Sequence, residues 1–142
     1  MIENKSQLYN ICEDVIETED VTHIIKDLKA TIYNNTDRYP VGLAANQIGY
    51  NKRIIVLNTP SFKHAMINPV IVKKSKQMTT QNEGCLSFPK DFIIPVTRHK
   101  QVTVEWINEQ GKKVNQKFRN LDSRVIQHEI DHLNGITLEE YV

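Results

Sequence analysis

The chain has 142 residues, 39% of them hydrophobic and 25% charged, and a formal net charge of +1. That size suits one globular domain spanning residues 1–142, and the interleaved, nearly balanced charge gives no reason to expect nucleic acid as a partner. No apolar run reaches transmembrane length and the first residues lack the apolar stretch of a signal peptide. The expected place is therefore the cytoplasm, where Cys12 and Cys85 stay free thiols rather than a disulfide.

In chain order, residues 7–17 put Leu8, Ile11, Cys12, Val15 and Ile16 at helical spacing, which predicts a short amphipathic helix. Residues 21–34 predict a second, with Ile24, Ile25, Leu28 and Ile32 on one side. Pro40 in "DRYPVG" ends it, because proline disfavours helix in the residue before it. Short β-rich runs follow. "RIIVLN" (53–58) reads as a buried strand, and "AMINPVIVKK" (65–74) as two short strands bent at Pro69. "QVTVEWI" (101–107) and "KKVNQKF" (112–118) flank "NEQG" as a hairpin, with Trp106 in the packing. Lys73, Lys74 and Lys76 are read as guards of an exposed strand edge, with a polyanion-binding cluster as the alternative.

The last long segment, 121–133, is helical and stops at Asn134-Gly135. Its Ile126, Ile130 and Leu133 are expected against a sheet. The sum is an α+β domain, with antiparallel sheets packed around the helix that carries "QHEIDH" (127–132).

That hexapeptide puts Val125, His128, Glu129 and His132 on one helix face. Two imidazoles four apart can share a metal ion. A bare match to this pattern also arises by chance in many helices. A hydrolytic metal site needs three protein ligands and one open position. Glu139 and Glu140 would need a very tight reversal to reach back, so the third ligand is expected upstream. "NEGCLSFP" (82–89) is the upstream loop with suitable chemistry. Cys85 follows Gly84, and a thiolate is a strong ligand. An ordinary small buried residue is the bland alternative for Cys85 and the preferred reading of Cys12. His23, His64 and His99 are isolated. The expected ligands are Cys85, His128 and His132.

Three separated stretches, "GLAANQIG" (42–49), "EGCLS" (83–87) and "QHEIDHLNG" (127–135), resemble the motifs of the peptide deformylases in order and spacing. The resemblance implies removal of the formyl group from formylmethionine on newly made polypeptides, with release of formate. It implies attack by water activated at the metal, with Glu129 as general base. It assigns oxyanion stabilisation to the Gln47 side chain and the Leu86 backbone N–H. A loop-capping role is the alternative for Gln47. Val41, Leu86 and Val125 are expected around the methionine side chain, with the peptide backbone along Val41, Gly42 and Leu43. Glu83, Arg98 and Asp131 are expected behind the ligands, surface ions being the alternative. The resemblance implies one divalent ion, Fe²⁺ natively, with Zn²⁺, Ni²⁺ and Co²⁺ also accepted.

Pro40 stands two residues before Gly42, where the family usually has another glycine. Proline cannot take a positive φ, so the entrance beside the substrate departs from the family. The chain is similar to short members encoded by bacteriophages, which lack a ribosome-docking C-terminal helix. The expectation is a monomer that meets nascent chains without that helix and binds neither membrane nor nucleic acid. A small aminopeptidase is a competing reading, opposed by "EGCLS" and the missing downstream ligand. A decayed, non-catalytic metal binder is another, opposed by the presence of both Glu129 and Gln47.

Overall fold

The computed structural model describes residues 5–142. Helix α1 (Thr22–Asn34) buries Ile24, Ile25, Leu28 and Ile32, as their spacing predicts. A five-stranded antiparallel sheet follows, in the order β1-β2-β3-β6-β7, from β1 (Gly42–Ala44), β2 (Ile54–Leu57), β3 (Ala65–Lys74), β6 (Gln101–Ile107) and β7 (Lys113–Arg119). A separate two-stranded ribbon joins β4 (Met78–Glu83) to β5 (Ile94–His99). Helix α2 (Asn120–Leu133) packs on β1, β2, β5, β6 and β7.

Helix α2 brings Val125, Ile126, Ile130 and Leu133 into one core with Ile55, Leu57, Met66, Val104, Trp106 and Phe118. Ile126 and Leu133 are fully buried, and each such side chain contributes about 1.5–3 kcal/mol. The helix ends where Gly135, at φ 76°, turns left-handed. Its N–H donates to His132 O at 3.0 Å, and that of Ile136 to Asp131 O at 2.9 Å, which satisfies the last carbonyls.

Two expectations need correction, and one element was missed. Residues 7–17 do not form an α-helix. A 3-10 turn, Lys5–Tyr9, gives way to chain in which Leu8 and Cys12 are buried but Ile11 is 71% and Ile16 63% exposed. The backbone finds its partners elsewhere: Cys12 N donates to Leu133 O at 2.8 Å, and Arg53 N to Glu13 O at 2.9 Å. Second, "AMINPVIVKK" is one strand, not two. Register shifts against β6 between Ile67 and Val70 absorb Pro69, as bulges do. The β4–β5 ribbon was not anticipated, because "MTTQNE" is polar and largely exposed and carries no alternating signal. The lysine reading fits Lys73 and Lys74 but not Lys76, which follows the end of β3: β2 pairs β3 only over Ala65–Ile67, so beyond Val70 the strand has β6 on one side alone among the described residues.

Candidate metal centre and active site

The strand–loop–strand segment β4–β5 delivers Cys85 to helix α2. The Cys85 Sγ and one ring nitrogen each of His128 and His132 lie within 4.8 Å of one another. The Sγ stands 3.3 Å from His132 Nε2. Donors on a tetrahedral ion with bonds of about 2.0–2.3 Å sit about 3.5 Å apart, so the cluster fits a metal. His128 Nδ1 donates to Glu83 Oε1 at 2.8 Å, which leaves its Nε2 as the ligand nitrogen. Burial holds the His132 imidazole well below its usual pKa, hence neutral, the form a metal requires.

Glu83 lies at the centre of a buried ionic network. Arg98 grips it through Nε at 2.7 Å and Nη2 at 2.8 Å, and reaches Asp131 through Nη1 at 2.9 Å. Burial opposes the Glu83 charge, but the hydrogen bonds from His128 and Arg98 outweigh it and hold the carboxyl at about 2. The structure thus brings Glu83, Arg98 and Asp131 together behind the ligands, with Glu83 and Arg98 buried and Asp131 part-exposed. Tyr141 OH also donates to Asp131, at 2.6 Å.

Glu129 follows the first histidine and is 4% exposed, with Oε1 lacking a hydrogen-bond partner. Burial pushes its carboxyl up to about 7. It lines a cavity of about 500 Å³ together with Val41, Gly42, Cys85, Leu86, Val125 and His128. Gly42 has a steric reason to be glycine: a Cβ there would come within 2.7 Å of Val125 Cγ1 and 2.9 Å of Glu129 Oε2. Leu43 does not line the cavity. Its side chain is fully buried with Leu28 and Ile54 on the α1 side of the sheet, because neighbours on a strand face opposite ways.

Gln47 fills the loop-capping role weighed for it, and its amide nitrogen faces the Cys85 loop. Its Oε1 accepts the Ala44 N–H at 2.9 Å, capping the turn Ala45–Ile48, while its Nε2 donates to Ser87 Oγ at 3.1 Å and lies 3.4 Å from Cys85 Sγ. His64 is exposed, His99 Nδ1 meets Ser75 O at 2.7 Å, and neither joins the ligand cluster.

Two supporting residues were not read from the sequence. Asn46 Nδ2 donates to His132 O at 2.6 Å. Arg124 Nη1 is a second guanidinium on Glu83 and also donates to Val96 O at 2.9 Å. Arg124 precedes His128 by four residues on the same helix face, which is the one pattern that pointed to it.

A buried Cys-His-His donor set, a carboxylate beside it and a cavity in front define a metal-dependent hydrolase of α+β fold. Residues 2–142 match the family model described as "Polypeptide deformylase". A peptide deformylase of Pseudothermotoga lettingae is 44% identical over 118 residues, which is 83% of this chain and 66% of that protein's length. The crystal structure of a deformylase from a Vibrio parahaemolyticus bacteriophage is 37% identical with a TM-score of 0.86, covering 93% of each chain. That of a probable peptide deformylase from a Synechococcus phage is 36% identical with a TM-score of 0.86, over 99% of this chain and 96% of that one. The chain belongs to the polypeptide deformylase family, metal-dependent enzymes whose activity is formyl removal.

Proposed function

We propose that this chain, as one catalytic domain, removes the formyl group from N-formylmethionine on newly made polypeptides and releases formate. The observation that carries this reading is Glu129, buried at the cavity wall beside the Cys85, His128 and His132 donors. Those three residues would hold one divalent ion, which when bound polarises a carbonyl and acidifies water. Fe²⁺ is the proposed resident ion by likeness to the family, and the same thiolate and imidazole set suits Zn²⁺, Ni²⁺ and Co²⁺.

Glu129 takes the proton from the attacking water at a carboxylate oxygen and returns it to the departing amine. The Gln47 amide and the Leu86 N–H donate to the oxyanion as it develops. Val41, Leu86 and Val125 enclose the methionine side chain. Strand β1 is outermost in its sheet and pairs with β2 alone among the described residues, so its other edge accepts the peptide backbone as an added strand. Glu83, Arg98 and Asp131 hold His128 and the helix in place. The working unit proposed is a monomer. No helix among the described residues is long and apolar enough to cross a membrane, and both cysteines are free, which supports work in a reducing cytoplasm.

The test is formate release from a formyl-methionyl peptide by protein loaded anaerobically with Fe²⁺, with the unformylated peptide as control. Formate from the first and no cleavage of the second is expected. Cleavage of the unformylated peptide would favour an aminopeptidase instead.

A further inference from the structure

Arg38 lies outside all three motifs, in the turn between α1 and β1, yet its guanidinium is spent on the loop that carries Cys85. Its Nη2 donates to Cys85 O at 2.9 Å and its Nη1 to Phe88 O at 2.8 Å, with Leu86 O at 3.4 Å. Three carbonyls of one short loop converge on one side chain. The neighbouring Asp37 pairs with Lys90 at 3.3 Å, which fastens the same two segments again at an exposed position.

The turn that presents Arg38 is itself fixed. Tyr39 N donates to Asn35 O at 3.0 Å and Tyr39 takes φ 45°, so the left-handed residue falls one position before Pro40. Pro40 is buried, and its carbonyl accepts from Asn58 Nδ2 at 3.1 Å. Proline has a single φ well, so Pro40 stiffens the segment that carries Arg38.

The Cys85 carbonyl and the Leu86 N–H belong to one peptide unit. That unit is planar and trans, so a donor anchored on its oxygen sets the direction of the N–H on the far side. A cation on the oxygen also polarises the unit and strengthens that N–H as a donor. We infer that Arg38 is a positioning residue for the reaction: through the Cys85–Leu86 peptide it aims the oxyanion-stabilising N–H and holds the Cys85 thiolate in register with His128 and His132. The inference rests on the deformylase reading and deepens it. Only arginine suits the task, because its planar fork spans several carbonyls where a lysine ammonium is a single point charge.

Arg38→Ala and Arg38→Lys test it. The Leu86 N–H acts on charge that develops only in the transition state, so kcat should fall about 10–100-fold in Arg38→Ala with KM little changed. Arg38→Lys should lie between Ala and wild type. Two readouts do not depend on turnover. The thiolate-to-metal absorption of the Co²⁺-loaded protein should shift in Arg38→Ala, and amide exchange over residues 85–89 should quicken. A wild-type kcat in Arg38→Ala, or a loss confined to KM or to thermal stability, would overturn the inference. If the alanine variant does not fold, Arg38→Lys decides by the same three measurements, and wild-type values in all of them overturn the inference. Wild-type protein that releases no formate overturns the deformylase reading instead, and the cobalt spectrum and exchange then judge the positioning of Cys85 separately.

Discussion

His128 Nδ1 donates to Glu83 Oε1 at 2.8 Å, and the same carboxylate carries two buried guanidiniums, those of Arg98 and Arg124. Glu83 therefore orients a ligand and neutralises the interior at once. Glu83→Gln should weaken metal binding about 10–100-fold, as losses behind a ligand do. It should also destabilise the fold by about 3–5 kcal/mol, because the guanidiniums stay buried without their partner. Metal titration and urea unfolding measure the two effects, and wild-type values in both would remove Glu83 from this role.

Glu129→Gln should keep the metal and the fold but lose about 10²–10⁴-fold in turnover, the usual loss of a general base. The amide matches the carboxylate in shape and cannot accept the proton. Metal content and formate release should be measured on one sample, and near-normal turnover by a fully metallated variant would end the assignment.

Gly42→Ala should slow the reaction without unfolding the protein. The added methyl meets Glu129 Oε2 and Val125 Cγ1 at 2.9 Å and 2.7 Å, so the carboxylate must shift. A displacement near 1 Å can cost about 100-fold in rate. The check is kcat beside the melting temperature, and an unchanged kcat would show that the side chain yields freely.

The two cysteines should behave oppositely. Cys85→Ser should weaken metal binding and Cys12→Ser should leave it unchanged. In metal-stripped protein at mildly alkaline pH, iodoacetamide should modify Cys85, which lines the cavity, and metal should protect it. Cys12 is 5% exposed, and burial pushes its thiol up to about 11, against the opposing effect of Arg53. Its folded pKa lies above the ordinary 9.0, so its contribution to stability is full below pH 9 and fades as pH rises through 11. Cys12→Ala should flatten that part of the alkaline stability profile. Rapid alkylation of Cys12 in the folded protein would contradict its burial.

Helix α1, helix α2, the β6–β7 hairpin and the histidine pair were legible because each is written in local periodicity. The N-terminal segment was misread for the same reason. Its apolar spacing is helical, but its backbone bonds to Leu133 and Arg53, partners that no local window contains. The β4–β5 ribbon escaped because its face is polar, so hydrophobic alternation had nothing to report.

The sequence by itself determined the chemical groups of the site and the part of their geometry that one helix sets. Residues four apart on an α-helix share a face, so His128 and His132 converge in any fold that keeps that helix. The tertiary structure decided the rest. Cys85 reaches His132 across 47 residues of chain, Arg38 reaches Cys85 O across 47, and Arg124 reaches Glu83 across 41. Such contacts depend on how the ribbon, the turn after α1 and helix α2 pack together. That packing is driven by burial of apolar surface, which is non-directional, and no single segment encodes it.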